Sequence, residues 1–208
     1  MAEELVFYTN PMSRGRIVRW MLEEVGQTYR AELMDYADLR SPTYLAVNPM
    51  AKIPALRHGS AVVTEAPAIC AYLADAFPAA GLAPPPGDPA RAPYYRWLFF
   101  AAGPLEAAIT DRMLGAHPTP EQRRMVGYGS FGEAVDVLEG AVGAADYLAG
   151  GRFSAADLYV ASHLAFGMGF GTIEKRPAFE AFVARMQSRP AYGRAQEIDG
   201  AFPPPARG

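Results

Sequence analysis

The apolar positions in the first third of the chain alternate between the spacing of strands and that of helices. Residues 5–8 form a short apolar run, and residues 13–25 then repeat apolar side chains at helical spacing. Gly26 follows, where glycine commonly ends a helix. Apolar and polar residues alternate over 29–33, which predicts a second strand parallel to the first through a right-handed crossover.

A hairpin and a helix complete this first region. Residues 55–57 and 61–64 flank His58-Gly59-Ser60, a pattern typical of a short hairpin. Residues 64–77 return to helical spacing, and Thr64 is the predicted N-cap of that helix. The predicted order is therefore βαβ followed by ββα within residues 1–78.

A proline-rich segment then separates two regions of different pattern. Residues 78–93 contain six of the 19 prolines, which favour extended backbone and cannot continue a helix. Beyond this segment helices are predicted over 94–114, 121–148, 154–170, 178–188 and 190–198. We predict an α/β domain over 1–78, a linker over 79–93 and an all-α domain over 94–208. Pro104 is expected to kink the first of these later helices.

Composition excludes several classes of function. Of the 208 residues, 50% are hydrophobic and 20% charged, as in folded globular proteins. The formal net charge of −3 lacks the basic surplus that nucleic-acid binding needs. No stretch reaches the roughly 18 apolar residues of a membrane-spanning helix, and the acidic N-terminus is unlike a signal peptide. These features predict a cytoplasmic protein without nucleic-acid or membrane partners.

The thiol and imidazole groups predict neither a disulfide nor a metal site. Cys70 is the one cysteine, and it lies in an apolar helical segment, so we predict a core residue. His58, His117 and His163 are scattered at spacings that do not suit metal ligands. In the second half, Ser154 and Asp157 have the spacing of a helix-capping pair, a folding signal rather than a chemical one.

Two segments of the first domain are candidates for binding. Pro54, just before a predicted strand, is a candidate for a cis bond, and Ile53 is then extended with a backbone able to pair with an extended ligand. The alternative is that Pro54 only ends a loop. Glu65 begins a helix, where it either stabilises the helix dipole or holds a ligand ammonium, while the helix N-terminus accepts a carboxylate.

The loop between the first strand and the first helix is the third candidate. Ser13 is either the N-cap of the helix or a hydroxyl that stabilises an anion at the carboxyl end of a strand. Arg14, Arg16 and Arg19 add local positive charge, which either steers an acidic ligand or belongs to a solvated helix face.

Taken together, in this order, these segments resemble the cytosolic glutathione transferase family over essentially the whole chain. The resemblance rests on a thioredoxin-like first half, Asn48-Pro-Met-Ala-Lys-Ile-Pro54, the segment from Thr64 to Leu73, a proline-rich linker and an all-helical second half. It implies a homodimer with glutathione as co-substrate and no further cofactor. It also implies that Pro54 is cis and that Ile53 pairs through its backbone with the cysteinyl part of glutathione.

The resemblance implies roles for further residues and shows one departure. Lys52 approaches the glycyl carboxylate, while Glu65 and the following residue take the γ-glutamyl end. That following residue is usually serine and is Ala66 here, so one hydroxyl bond to glutathione is lost. The electrophile lies against the first long helix of the second domain, where Phe100 is the pocket candidate.

The thiol-activating group has two candidates. Ser13 matches the serine of the theta- and delta-like classes, and Tyr8 corresponds to classes that use a tyrosine hydroxyl. No cysteine lies near this loop, unlike in beta-like members, and the double-serine-plus-cysteine loop of zeta-like isomerases is absent. We expect a transferase that joins glutathione thiolate to a hydrophobic electrophile. The alternatives are a non-catalytic binding or regulatory protein of the same fold, or a glutathione-dependent peroxidase or reductase.

Overall fold

The computed structural model describes residues 3–200, which divide by packing into two compact units. The first unit contains residues 3–82 and 189–200, and the second contains residues 83–188. Helix 190–199 thus packs with the α/β region, although its sequence pattern groups it with the later helices. The predicted domain limits of 1–78 and 94–208 stay a prediction, because they divide the chain by pattern and these units are divided by packing.

A four-stranded mixed sheet forms the centre of the first unit. Its strands are β1 (Leu5–Thr9), β2 (Arg30–Leu33), β3 (Ala55–His58) and β4 (Ala61–Thr64), in the order β2-β1-β3-β4. Strand β2 is parallel to β1, while β3 is antiparallel to both β1 and β4. The predicted βαβ-ββα order and the parallel crossover are confirmed.

Three helices follow the strands of the first unit, and a fourth joins them from the end of the chain. They are α1 (Gly15–Val25), the short α2 (Pro42–Leu45), α3 (Ala66–Ala76) and α9 (Pro190–Asp199). Short 3₁₀ segments cover Tyr36–Arg40 and Pro78–Ala80. Helix α1 ends at Gly26 with φ 72°, as the sequence predicted, because glycine adopts this left-handed conformation without a steric penalty.

Helix α1 packs between the sheet, α3 and α9, and this position buries two arginines. Asp199 of α9 accepts a hydrogen bond from Arg19 Nε at 3.1 Å, and each of these side chains is only 3% exposed. Glu24 of α1 forms a two-bond pair with Arg189, at 2.6 and 2.8 Å. Charged side chains of α1 therefore form ion pairs with Asp199 of α9 and with Arg189, which directly precedes α9.

The second unit is entirely helical within residues 83–188. Its helices are α4 (Arg91–Phe100), α5 (Glu106–Met113), α6 (Phe131–Ala144), α7 (Ala155–Phe170) and α8 (Pro177–Gln187), with a π-helical turn over Ala101–Leu105 and a 3₁₀ turn over Gln122–Arg124. Every residue of α7 from Ala155 to Leu164 is buried, so this helix forms the centre of the unit. The thioredoxin-like first unit and the helical second unit confirm the predicted fold class.

Two of the predicted helices in this unit differ in detail from the structure: the first contains a π-helical turn, and the second begins later than predicted. Pro104 produces a wider π-helical turn between α4 and α5, because its nitrogen has no hydrogen to donate to the regular ladder. The helix predicted over 121–148 begins only at Phe131. Gly129, with φ 66°, has a left-handed conformation that interrupts helical geometry just before α6. At the start of α6 the Ser130 hydroxyl accepts from the Glu133 amide.

The predicted capping pair at the start of α7 is confirmed. The Asp157 carboxylate accepts hydrogen bonds from the Ser154 amide at 2.8 Å and the Ser154 hydroxyl at 2.7 Å. It also accepts from the Leu148 amide at 2.7 Å, which ties the preceding loop to the helix. Burial raises the pKa of Asp157 to about 6, because desolvation of the charged form outweighs these hydrogen bonds.

This raised pKa predicts a characteristic pH dependence of stability. Between about pH 4 and pH 6 the folded state keeps the Asp157 proton that the unfolded state has lost, so the free energy of unfolding falls as pH rises. Two pKa units correspond to about 3 kcal/mol. The difference between the urea-unfolding free energies of wild type and Asp157→Asn should show this slope and become flat above about pH 6. A difference independent of pH would contradict the assignment.

The buried pair between α1 and α9 predicts a large loss of stability when one partner is removed. Asp199→Ala leaves the Arg19 guanidinium buried with its carboxylate missing, and should lower the free energy of unfolding by about 3 kcal/mol. Glu4→Ala is the matched control, because Glu4 pairs with Arg30 at a similar 3.0 Å on the surface, and should cost below about 1 kcal/mol. Equal losses in urea unfolding would contradict the role given to burial.

Candidate active site

The strand register brings the three candidate segments to one edge of the sheet. Tyr8, one residue before the end of β1, pairs with Ala55 at the start of β3, and Ala55 pairs with Thr64 at the end of β4. The loop after β1, the turn before β3 and the beginning of α3 therefore leave the sheet side by side. Segments that are separate in the sequence become neighbours through the pairing alone.

The turn before β3 contains the predicted cis bond, between Ile53 and Pro54. The Lys52 carbonyl oxygen accepts two hydrogen bonds, from the Tyr44 hydroxyl at 2.6 Å and from Asn48 Nδ2 at 2.8 Å. Both donor residues are buried. Burial raises the pKa of Tyr44 to about 12, so its hydroxyl remains a donor at neutral pH.

Asn48 fixes the same turn from its other side. Its Oδ1 accepts from the Met50 amide at 3.1 Å, while its backbone oxygen accepts from the Ala51 amide at 2.9 Å. An asparagine side chain that bonds to the backbone two residues later is a recognised turn signal. Neither Asn48 nor Tyr44 carries a sequence signal that predicts this supporting role.

The side chains around the turn separate into a buried and an exposed set. Ile53 is half-buried and packs against the cluster formed by Leu39, Tyr44 and Ala51. Tyr8 packs against the same cluster, with its ring centroid 5.8 Å from that of Tyr44. Lys52 is exposed, so its ammonium is available to a ligand at this edge.

The beginning of α3 has an unusual backbone conformation. Glu65 is the N-cap of this helix, and the predicted N-cap, Thr64, is instead the last residue of β4. Glu65 has φ 67°, and its exposed side chain makes no capping hydrogen bond. A non-glycine residue with positive φ is uncommon and often marks a functional site. The carboxylate is thus not used for helix capping.

The Ser13 hydroxyl is used twice in the loop before α1. It donates to the Asn10 carbonyl oxygen at 2.7 Å and accepts from the Gly15 amide at 2.9 Å. These bonds form the turn into the helix, whose N-cap is Arg14. Gly15 is required there, because a Cβ at this position would lie 2.0 Å from Thr9 Oγ1. Glycine is the one residue that fits this close approach.

The hypothesis of a solvated helix face is wrong for Arg16 and Arg19, which are buried. The Arg16 guanidinium donates to the Pro11 carbonyl oxygen at 3.2 Å. It also donates to Gln196 Oε1 at 2.5 Å and to the Gly200 carbonyl oxygen at 2.7 Å. Arg16 therefore connects the loop that carries Ser13 to the end of the described chain.

Two other predicted positions lie away from this edge or outside its unit. Cys70 is fully buried in α3, and burial raises the pKa of its thiol, as expected for the predicted core residue. Phe100, at the end of α4 in the second unit, packs against the cluster of Ala108, Tyr128 and Ala134. Its role in an electrophile pocket stays a prediction.

Residues 3–200 contain neither a candidate metal cluster nor a candidate membrane-spanning helix. In that part of the chain, no group of three or more His, Cys, Asp or Glu residues is arranged to hold a metal ion. None of its helices combines the length and apolar character needed to cross a membrane.

Comparison with known proteins gives consistent matches to both units. Residues 12–76 match the family model for the glutathione S-transferase N-terminal domain, and residues 106–190 match that for the C-terminal domain. Glutathione S-transferase GstA of Escherichia coli O157:H7 is 28% identical over 184 residues, covering 86% of this chain and 90% of the relative. A maleylacetoacetate isomerase of Pseudomonas aeruginosa is 26% identical over 171 residues, covering 78% and 79%.

A solved structure extends the match to three dimensions. A sphingomonad glutathione S-transferase complexed with glutathione has a TM-score of 0.75 and 28% identity, covering 94% of this chain and 98% of that one. The fold combines a thioredoxin-like unit with a helical unit, and the candidate site lies at one sheet edge of the first unit. Together with the two family-model matches, they show that this chain belongs to the glutathione S-transferase family.

Proposed function

We propose that this chain is a glutathione transferase that joins glutathione thiolate to a hydrophobic electrophile. The proposal rests on one observation: the Ser13 loop, the cis turn at Pro54 and Glu65 meet at one sheet edge. The Glu65 side chain makes no capping hydrogen bond there. These segments supply a hydroxyl, an extended backbone segment and a carboxylate beside a helix N-terminus. A γ-glutamyl tripeptide with a thiol requires these three kinds of group.

The contacts proposed for glutathione follow its own chemistry. The Ile53 backbone pairs with the cysteinyl residue as an added strand would, and the Lys52 ammonium approaches the glycyl carboxylate. Glu65 holds the γ-glutamyl ammonium, while the Ala66 amide at the start of α3 donates to the γ-glutamyl carboxylate. The relative from the sphingomonad, whose structure contains glutathione, supports this ligand.

Because residue 66 is alanine, the proposed site has one hydrogen-bonding group fewer for glutathione than a site with serine there. A serine at this position would add a hydroxyl bond to the γ-glutamyl carboxylate, and a hydrogen bond to a charged group contributes about 1.5–3 kcal/mol. The methyl group of alanine removes that bond and leaves the backbone amide. We therefore expect a lower affinity than a serine-containing site would have.

Ser13 is the proposed thiol activator, and Tyr8 is the second candidate. The Ser13 hydrogen must turn from the Asn10 carbonyl oxygen to the glutathione sulfur, while the Gly15 amide continues to donate to Ser13 Oγ. Donation into the oxygen makes the hydroxyl a stronger donor. The bound thiol then loses its proton to solvent more readily, and the thiolate is the nucleophile.

In the reaction, the thiolate sulfur forms a bond to the electrophilic carbon and the leaving group departs with the electron pair of its own bond. Holding both reactants in place and stabilising the thiolate would supply most of the rate. We further propose that the protein acts in the cytoplasm as a homodimer, with glutathione as co-substrate and with no metal or additional cofactor.

A second candidate is a non-catalytic glutathione-binding or regulatory protein. Two observations favour it: the missing hydroxyl at Ala66, and the engagement of the Ser13 hydrogen by the Asn10 carbonyl oxygen. Retention on immobilised glutathione without turnover of a chloronitrobenzene would establish this alternative. Absence of both would contradict the transferase proposal.

Substitution of the two hydroxyl residues distinguishes the activators. Ser13→Ala should lower kcat/KM for conjugation of a chloronitrobenzene by about 100-fold, because the thiolate loses its donor. Ser13→Thr keeps a hydroxyl and should retain much of the activity. Ser60→Ala, in the exposed turn between β3 and β4, is the control for an unrelated serine. A large loss in Tyr8→Phe with none in Ser13→Ala would transfer the role to Tyr8.

A further inference from the structure

A cavity of about 240 Å³ lies within the second unit, between the end of α5 and the beginning of α6. It contains none of the residues proposed to bind glutathione, all of which lie in the first unit. Its wall combines the aromatic rings of Tyr128 and Phe131 with Pro118 and small apolar residues. It is smaller than sites for drug-sized ligands, which occupy about 300–1,000 Å³.

The ionisable nitrogen groups of this wall are all basic. Arg112, His117 and Arg123 line the cavity, and no acidic residue does. The Arg112 guanidinium carbon lies 4.2 Å from the centroid of the Phe131 ring, so the guanidinium stacks on an aromatic wall. A stacked guanidinium keeps its N–H groups available for in-plane hydrogen bonds.

The neighbouring acidic residues are hydrogen-bonded to hydroxyl groups rather than to these arginines. Asp111 accepts from the Tyr128 hydroxyl at 2.6 Å. Glu121 accepts from the Thr119 hydroxyl at 2.9 Å, and Glu133 accepts from the Ser130 hydroxyl at 2.6 Å.

Arg112 and Arg123 themselves form no ion pair with any carboxylate among residues 3–200. Their positive charge is left beside an aromatic wall. A ligand that complements this arrangement needs an anionic group and a flat apolar body.

We propose that this cavity binds a small aromatic carboxylate, a single ring that carries one acidic group. The carboxylate would lie between the guanidinium groups of Arg112 and Arg123, where two parallel N–H···O bonds give both affinity and orientation. The ring would pack against Tyr128 and Phe131. The volume of the cavity suits a single ring. This site is additional to the glutathione site and does not depend on the proposed transferase activity.

The test uses the full chain without glutathione, and phenylacetate as the probe. Titration calorimetry or ligand-observed NMR should show saturable binding with a Kd of about 1 mM, as expected for a ligand of this size in a partly open site. The neutral analogue 2-phenylethanol should bind at least about 10-fold more weakly, because it lacks the carboxylate. Addition of glutathione should leave phenylacetate binding unchanged.

Neighbouring arginines provide a matched pair of variants. Arg123→Ala should weaken phenylacetate binding by about 10-fold, while Arg124→Ala, at an exposed position next to it that does not line the cavity, should leave binding unchanged. Arg112→Ala should also weaken binding. Thermal unfolding should stay the same for the Arg123 and Arg124 variants, since both side chains are exposed.

Four results would overturn the proposal. They are absence of saturable binding up to about 10 mM, equal binding of phenylacetate and 2-phenylethanol, equal effects of the Arg123 and Arg124 variants, and displacement of phenylacetate by glutathione. The last result would place the probe in the first unit. None of these results would bear on thiol conjugation, which is measured separately.

Discussion

Burial of two guanidinium groups on α1 is the constraint on which the first unit depends. A buried charge is strongly unfavourable unless partners satisfy it. For Arg19 the charged partner is Asp199, and for Arg16 the acceptors include Gln196 and the Gly200 carbonyl oxygen. Helix α9 must therefore pack on α1 for this unit to be stable. Because Arg16 also holds the Pro11 carbonyl oxygen, the same requirement fixes the loop that carries Ser13.

Local features of the fold could be predicted from the sequence, and features set by distant partners could not. The helix end at Gly26 and the capping pair at Ser154 and Asp157 depend on residues a few positions apart. The partner of Arg16 at Gln196 is 180 positions away, so periodicity alone suggested a solvated or ligand-facing residue. One local feature is an exception: α6 begins late because Gly129 adopts a left-handed conformation, with φ 66°, which apolar spacing does not reveal.

In the candidate site, by contrast, the features that could not be predicted are local ones. Its segments were identified by residue type, and the pairing of Tyr8, Ala55 and Thr64 explains why they meet. The support beneath them was not predicted, because two hydrogen bonds from Tyr44 and Asn48 to one carbonyl oxygen have no simple sequence pattern. The positive φ of Glu65 was likewise missed, since residue type suggested Thr64 as the cap.

The proposed glutathione site consists of the three segments that meet at this sheet edge. A crystal structure of the chain soaked with glutathione should show the cysteinyl backbone paired with that of Ile53. It should also show the glycyl carboxylate near Lys52 and the γ-glutamyl end at Glu65 and the Ala66 amide. Glutathione bound elsewhere, or crystals that remain empty at saturating glutathione, would show that these segments do not form the site.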